Sequence, residues 1–440
     1  MVWFARSIHR CDPPGRPAWF GPIPHGYGKC VMAVVAVGVG GGIAAYKVCQ
    51  VVRRLAENGH DVHVIPTDSA LEFVGRPTWE ALSGHSVHSG VFDDVPGVEH
   101  VRLGEQADLV LVAPTTADLL SRIAQGRGDD LLTTTILASR APKLLVPAMH
   151  TAMWLNPATQ ENAAAARRHG IVVKEPARGR LTGHDSGPGR MPEPDEIVWL
   201  AQSLLDDPEC AGPMSAQDLA GRRILVSAGG TREPIDPVRY IGNLSSGRMG
   251  FAIAANAAAR GAKVTVVAAH TQAQLPSSVE VVTVDTTEDL CQAMTQRARQ
   301  ADAIVMAAAA ADFAAAPATT KIKKHEGTDH VGESMTLELH QTPDVLAQIC
   351  ANPVPGRVVV GFAAETTDDR DQLLHLADAK LHRKGCDVLI VNDVSAGRVF
   401  GSSNTDITVV HQQGPGRRVV GSKARAAAAI VDEIHQLLAQ

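Results

Sequence analysis

The centre of the chain carries the stretch that decides its fold, which runs from Gly229 to Gly250 and reads GGTREPIDPVRYIGNLSSGRMG. An apolar run, 224–226, leads into it, and an alanine-rich amphipathic run, 251–260, leads out. This order predicts a strand, a long polar loop and the start of a helix. In an open α/β sheet such a loop binds ligands, because free backbone N–H groups and the helix dipole favour anions there.

The length of this loop favours a functional role. Connections in α/β units usually take about 2–6 residues. A longer loop is therefore predicted to carry function when it holds charged and amide side chains, here Arg232, Glu233, Asp236, Arg239 and Asn243. The alternative is a solvated surface loop in which Ser245 or Ser246 caps the following helix.

Composition bounds the class of protein. A chain of 440 residues should fold as two or more domains, and 45% hydrophobic with 4% aromatic residues is typical of alanine- and valine-rich α/β layers. A net charge of −6 does not indicate a protein that binds nucleic acid. The seven cysteines are scattered without a CxxC spacing, so we expect reduced thiols in a cytoplasmic protein. No apolar run reaches the ~18 residues of a membrane span.

The first half opens with an apolar strand, 31–37, and a glycine-rich turn, Gly38 to Gly42, that leads into a helix reaching about Asn58. Such a turn suits a phosphate group. It is not a dinucleotide fingerprint, because the next strand, 61–65, ends at Pro66 and Thr67 without a ribose-binding acid. Nor is it a Walker loop, because Lys47 falls inside the helix.

Further strand ends in the first half gather small and hydroxyl residues. The strand 109–112 runs into the segment 113–118, and the strand 144–146 is followed by the segment 147–154. Carboxyl ends of parallel strands share one edge of a sheet, so this edge would suit a phosphorylated planar cofactor. His100 precedes the strand 109–112, and a lone histidine is more often structural than catalytic.

The second half repeats the alternation of strands and helices after a break at 206–217. Its strands are expected near Ile224, Val264, Val281, Ile304, Val358 and Val388, followed by a short strand, 407–410, and a closing helix. We therefore predict an α/β fold with two Rossmann-like, doubly wound parallel-sheet domains, 31–205 and 219–440, joined by a linker, 206–218. Residues 1–30 are expected to be a disordered extension or a misassigned start.

The first-half motifs 41–47, 113–117, 147–154 and 187–191 resemble those of the flavin-containing cysteine decarboxylases. The resemblance implies that His100 is the catalytic base and that His150 and Met153 contact the substrate. It also implies an FMN site formed by Gly40, Gly41, Gly42, Thr67, Ala113, Pro114, Thr115, Thr116 and Met149.

This chain departs from the decarboxylase pattern at three positions. Gly40 replaces a serine of the flavin turn, and His150 replaces an asparagine that grips the substrate carboxylate. Thr182 replaces the cysteine that donates the last proton, and threonine is a far poorer acid than a thiol. His184 or Asp185 is the expected substitute donor.

The stretch from Gly229 to Gly250 resembles the hallmark of bacterial phosphopantothenate-cysteine ligases, and the blocks 308–313, 321–324, 361–366 and 380–384 agree in order. The resemblance implies that Asn243 holds an acyl-cytidylate, that Lys321 contacts the nucleotide phosphates and that Arg239 contacts substrate. The implied CTP site comprises Ala308, Asp312, Lys321, Pro343, Asp344, Val345, Leu346, Phe362, Lys380 and Lys384.

Together the two resemblances imply a bifunctional enzyme of coenzyme A biosynthesis, similar to actinobacterial members. It would join 4′-phosphopantothenate to L-cysteine with CTP and Mg²⁺ or Mn²⁺, and then decarboxylate the product with FMN. The metal ligands are not predicted. The expected assembly is a homo-oligomer of ligase dimers and decarboxylase trimers, as large as a dodecamer, with neither nucleic acid nor membrane as partner.

Two alternatives also fit these residues. The missing cysteine allows an active ligase whose flavin half is impaired or regulatory. Two Rossmann-like halves would also fit a tandem nucleotide-binding oxidoreductase that holds NAD and is not yellow.

Overall fold

The computed structural model describes residues 32–90, 99–180, 186–271, 279–323, 336–365, 369–393, 404–412 and 414–440. Within them the chain forms two large sheets, one in each half. The α/β class and the two doubly wound parallel sheets expected from the sequence are confirmed. No helix in these ranges is long and apolar enough to cross a membrane.

The first sheet has five parallel strands in the order β2-β1-β3-β4-β5. Alternate residues face two cores: Val35 and Val37 lie in one, and Ala36 lies in the other. Burial on both faces explains why these strands are nearly continuous apolar runs. The strands are β1 (Val34–Val39), β2 (Asp61–Pro66), β3 (Leu109–Thr115), β4 (Lys143–Pro147) and β5 (Val172–Val173).

Helices cover both faces of this sheet, and a small antiparallel hairpin follows it. The hairpin is β6 (Ala177–Arg180) and β7 (Ser186–Arg190). The helices are α1 (Ala45–Glu57), α2 (Asp68–Leu71), α3 (Arg76–Ser83), α4 (Glu99–Gln106), α5 (Ala117–Ala124), α6 (Leu131–Ala138), α7 (Thr151–Trp154), α8 (Pro157–Arg168) and α9 (Pro194–Asp206).

The second sheet has eight strands in the order β12-β11-β8-β13-β16-β17-β18-β19. The first six run parallel and the last two are antiparallel. Counted along this half, the parallel part has the 3-2-1-4-5-6 order of a Rossmann sheet. The strands are β8 (Arg223–Ala228), β11 (Lys263–Ala268), β12 (Glu280–Thr283), β13 (Ala303–Met306), β16 (Val358–Glu365), β17 (Val388–Asp393), β18 (Asn404–His411) and β19 (Gly414–Ser422).

Two small antiparallel sheets stand beside this large one. They are β9 (Arg232–Pro234) with β10 (Tyr240–Gly242), and β14 (Phe313–Ala315) with β15 (Leu339–Gln341). The helices of this half are α10 (Ala211–Ala216), α11 (Arg248–Ala259), α12 (Thr287–Ala298), α13 (Val345–Cys350), α14 (Arg370–Lys384) and α15 (Lys423–Leu438).

The segment predicted as a linker is helical. A 3₁₀ turn, Pro208–Cys210, leads into α10, and Cys210 and Met214 are buried in the core of the first half. Beyond it, Arg260 is 2% exposed and donates to both Asp218 and Asp432, through Nε at 2.8 Å and Nη1 at 2.6 Å. Because α15 also packs against α9, the two halves are in direct contact.

Candidate active sites

The glycine turn lies where the strand order of the first sheet reverses, because β1 is flanked by β2 on one side and β3 on the other. Ligands of doubly wound sheets bind at this point. The Gly40 N–H donates to the Pro114 carbonyl at 3.1 Å, and a Cβ on Gly40 would lie 2.4 Å from that oxygen. A serine at Gly40, as in the decarboxylase family, would therefore require the Pro114 carbonyl to shift.

Two of the predicted flavin-site threonines cap short helices at this edge. Thr67 accepts from the Ala70 N–H at 3.3 Å, and Thr116 accepts from the Leu119 N–H at 3.2 Å. Thr115 differs, because it is fully buried, donates to the Val112 carbonyl at 2.8 Å and accepts from Val146 N–H at 3.2 Å. Its hydroxyl ties β3 to β4, so Thr115 shapes the edge instead of offering that hydroxyl to a ligand.

His100 lies in the first turn of α4, a helix that packs against α6. The ring is half-buried, and its Nδ1 is buried with no hydrogen-bond partner among the described residues. A buried polar atom without a partner costs about 1–3 kcal/mol. An unsatisfied ring nitrogen in the flavin half is therefore a strong candidate for contact with a ligand.

The predicted substrate clamp is built around α7. His150 Nδ1 accepts from the Ala152 N–H at 3.3 Å and caps this helix, a role that asparagine commonly fills. The Met149 N–H donates to the Gly189 carbonyl of β7 at 3.0 Å, and Met153 is exposed. The donor candidates Thr182, His184 and Asp185 lie outside the described residues.

The hallmark loop of the second half is organised by a buried carboxylate, Asp236. It accepts from the N–H groups of Val238 and Arg239 at 2.8 Å each and from that of Ile322 at 3.2 Å. Its bond from the Arg239 guanidinium, helped by these N–H groups, holds the pKa of Asp236 well below its ordinary value despite burial.

Arg239 also donates to the Ile322 carbonyl at 2.7 Å. Ile322 is thus held at both its N–H and its carbonyl, and the exposed Lys321 and Lys323 flank it. In this arrangement Arg239 positions the lysine segment, while its predicted contact with substrate stays a prediction. Sequence spacing gave no sign of this link between residues 83 positions apart.

Asn243 is held by the segment that follows β13. Its Nδ2 donates to the carbonyls of Ala309 and Ala310 at 3.1 Å each. Asn243 therefore connects the hallmark loop with the segment 308–312, which contains the predicted CTP contacts Ala308 and Asp312.

A second buried link was missed by sequence reasoning. Glu233 is 4% exposed and accepts from the Thr287 N–H at 2.9 Å and from its hydroxyl at 2.7 Å. Thr287 in turn lies 2.9 Å from the Thr231 hydroxyl, which accepts from the Ala311 N–H at 2.9 Å. This chain of bonds, which we name the Glu233–Thr287 link, fixes the hallmark loop, the start of α12 and the segment 308–312.

The remaining predicted CTP residues lie around α13 and α14. Asp344 caps α13 by accepting from Ala347 N–H at 3.0 Å and forms an ion pair with Lys384, and Lys380 contacts Glu365 at 3.2 Å. Both lysines are thus balanced by carboxylates before any nucleotide binds. Leu346 packs on Gly361, Val345 is buried, and Pro343 and Phe362 are half-buried.

Two family models divide the chain between them. The Flavoprotein family matches residues 29–205, and the DNA/pantothenate metabolism flavoprotein C-terminal domain matches residues 219–438. The Coenzyme A biosynthesis bifunctional protein CoaBC of Mycobacterium tuberculosis H37Rv is 54% identical over 419 residues, covering 93% of this chain and 98% of the relative. This chain belongs to the CoaBC family.

A second CoaBC relative agrees with this assignment. The Mycolicibacterium smegmatis relative is 51% identical over 412 residues, covering 92% of this chain and 97% of the relative. A solved C-terminal domain of a CoaBC protein is 31% identical, with a TM-score of 0.41, and covers 51% of this chain and 98% of that one. Both resemblances drawn from the motifs are confirmed, and the first half is a flavoprotein domain.

Proposed function

We propose that this chain catalyses two successive steps of coenzyme A biosynthesis. In the first, 4′-phosphopantothenate is joined to L-cysteine at the expense of CTP. In the second, phosphopantothenoylcysteine is decarboxylated to 4′-phosphopantetheine. One observation carries the proposal: in each half, the loops expected for its reaction meet where the strand order of its own sheet reverses, next to β1 and β3 and next to β8 and β13.

The ligase half would activate the carboxylate of phosphopantothenate as an acyl-cytidylate. Bringing a carboxylate against a triphosphate requires positive charge. Lys321 and Lys323 supply it from a segment that Asp236 and Arg239 hold, and Lys380 and Lys384 supply more once they leave their carboxylates. Mg²⁺ or Mn²⁺ would enter with the triphosphate, as divalent ions do at such sites.

Asn243 would hold the acyl-cytidylate. Two backbone carbonyls fix its amide nitrogen, which sets the orientation of the side chain before substrate arrives. A pre-set amide loses little freedom on binding and can favour the reacting geometry. The amine of cysteine would then displace CMP from the acyl carbon.

The decarboxylase half fits FMN. Its turn consists of residues without bulky side chains, and Cβ atoms at Gly40 and Gly41 would collide with Pro114 and Ser69. The starts of α2 and α5 lie at the same edge, and their N–H groups can donate to a phosphate. When bound, FMN supplies the reversible two-electron oxidation that lets the cysteinyl carboxylate leave.

His100 would accept a proton from the substrate at Nδ1, the ring nitrogen that has no hydrogen-bond partner among the described residues. His150 and Met153 would close over the substrate from α7. The last protonation requires an acid, for which Thr182, His184 and Asp185 stay our candidates.

A homo-oligomer is part of the proposal. The two small sheets and the loops at their ends expose large apolar side chains, with Leu244 at 81% exposure, and β9 packs against β14. Exposed apolar side chains on two sheets that touch each other suit contact with another copy. We propose ligase dimers formed through Val238, Tyr240, Leu244, Phe313 and Leu339, decarboxylase trimers, and an assembly as large as a dodecamer. We also propose a cytoplasmic location, because the reaction would consume CTP and form phosphorylated intermediates.

The test is a mass-resolved assay of purified protein with phosphopantothenate, cysteine, CTP and Mg²⁺, after its visible spectrum is recorded. We expect a yellow protein that forms phosphopantetheine. His100→Ala should accumulate phosphopantothenoylcysteine, whereas Asn243→Ala should slow formation of that intermediate. Accumulation by the unaltered protein would instead support the impaired flavin half, and bound NAD without yellow colour would support the oxidoreductase alternative.

A further inference from the structure

A cluster of metal-ligating side chains lies outside both active sites. Asp61 Oδ1 contacts His85 Nε2 at 2.6 Å, and Asp61 Oδ2 contacts His63 Nε2 at 3.3 Å. The three ligand atoms all lie within 4.8 Å of one another. Two imidazole nitrogens and a carboxylate oxygen are a donor set that divalent transition metals favour.

The cluster is far from the flavin edge. Asp61 begins β2, whereas Thr67 follows its carboxyl end, and six residues of strand span roughly 20 Å. It therefore lies near the amino ends of the strands, on β2, which is an outer strand of the sheet. Neither proposed reaction uses these side chains.

We propose that Asp61, His63 and His85 bind one divalent transition-metal ion, with Zn²⁺ as its representative. The ion would join the start of β2 to the loop after α3, where the His85 N–H donates at 3.2 Å to the hydroxyl of Ser83, the last residue of α3. All three side chains are partly exposed, which leaves an entry path and room for a water as fourth ligand.

Binding requires a small rearrangement. Ligand atoms around a tetrahedral ion lie about 3.4 Å apart when the bonds are about 2.0–2.1 Å. The two rings are stacked, with centroids 4.1 Å apart and planes at 20°, so one ion does not lie in both ring planes. His85 is the more exposed ring and lies on a loop, so it is the one that would turn and close the site.

Charges on neighbouring elements act in both directions. Arg102 of α4 places positive charge near His63 and opposes a cation. The Asp61 carboxylate favours it at shorter range, because it touches both imidazoles. The alternative is a network of hydrogen bonds in which Asp61 holds both rings and no metal enters.

The experiment uses full-length, flavin-loaded protein stripped of metal with a chelator and dialysed against Zn²⁺ in excess Mg²⁺. Bound zinc is counted by elemental analysis in the unaltered protein, His63→Ala, His85→Ala and His85→Gln. The matched control is His382→Ala, which removes an exposed histidine that contacts an aspartate on α14. Flavin content reports whether each variant is folded.

We expect the unaltered protein and the control to hold one more equivalent of zinc than the three cluster variants. Zinc should also raise the melting temperature of the unaltered protein and leave that of His85→Gln unchanged, because an ion that binds only the folded state stabilises it. Equal zinc in all proteins, or no zinc in the unaltered one, would overturn the proposal and leave the hydrogen-bond network.

Discussion

At the scale of single residues, Asp236 shows how one carboxylate organises a reactive segment. Asp236→Asn would weaken the bond from Arg239 and release Ile322, and with it Lys321. We expect the ligase kcat to fall by about tenfold or more, since a displacement of about 1 Å in a group that positions substrate can cost roughly 100-fold in rate. Decarboxylation of added phosphopantothenoylcysteine should be unchanged, and so should both rates in Asp378→Asn, a surface control on α14.

The same residue predicts a pH dependence of stability. The pKa of Asp236 is lowered in the folded state, so its contribution is fully present above the ordinary aspartate pKa of about 3.9 and is lost as the pH falls below it. Urea unfolding from pH 7 to pH 2 should show a smaller loss of unfolding free energy in acid for Asp236→Asn than for the unaltered protein. If the unfolding free energies of the two proteins fall by the same amount in acid, this assignment is wrong.

Two asparagines should respond oppositely to one substitution. Asn256 in α11 is 1% exposed, and within the described part of the chain neither its Nδ2 nor its Oδ1 has a hydrogen-bond partner. Asn256→Ala removes an unsatisfied amide and favours the helix, so we expect the unfolding free energy to rise by about 1 kcal/mol. Asn156 caps α8 by accepting from Ala158 N–H at 3.0 Å, so Asn156→Ala should lower it by about 1 kcal/mol. Denaturant titrations of both variants give the two signs.

At the scale of elements, the Glu233–Thr287 link predicts a specific loss. Thr287→Val keeps the shape but removes the hydroxyl that joins Glu233 to Thr231, so the segment 308–312 should loosen. We expect the KM for CTP to rise or the ligase kcat to fall by about tenfold, with decarboxylation intact. Thr265→Val is the matched control, because its hydroxyl donates to Glu280 at the outer edge of the same sheet. Equal ligase rates in the two variants would show that the link is dispensable.

The sequence predicts some secondary-structure elements and misses others. Parallel strands such as β8 were predicted because burial on both faces produces unbroken apolar runs. The small antiparallel sheets β9/β10 and β14/β15 were missed because strands of three residues are too short to show a period of two, and β9 also contains Arg232 and Pro234. Pro208 and Pro213 suggested a loop, yet proline suits the first turn of a helix, and the segment is helical.

The candidate sites divide in the same way. Motif residues such as Asn243 and the glycine turn could be found from the sequence, because their order along the chain is distinctive. Partners that lie far apart in the chain could not, as for Glu233 and Thr287, which are 54 positions apart. Spacing along the sequence carries no sign of a contact that only the fold creates.

At the scale of the whole molecule, Arg260 predicts how the two halves depend on each other. Its guanidinium is buried and joins Asp218, where the second half begins, to Asp432 of α15, the helix that packs on α9 of the first half. Arg260→Ala leaves Asp218 and Asp432 without their shared cation, and because Asp432 is 39% exposed we expect a loss of about 1–3 kcal/mol, below that of a fully buried pair. The half that contains α11 and α15 should therefore melt at a lower temperature.

Calorimetry with flavin fluorescence recorded in parallel distinguishes the outcomes. We expect Arg260→Ala to separate an early transition, in which ligase activity is lost, from a later one that releases the flavin. The control is Arg418→Ala, which breaks an exposed pair with Asp406 on β18. We expect it to change the free energy of unfolding by no more than about 1 kcal/mol and to leave the number of transitions unchanged. A single unshifted transition in Arg260→Ala would mean that apolar packing of α15 on α9 joins the halves without help from this ion pair.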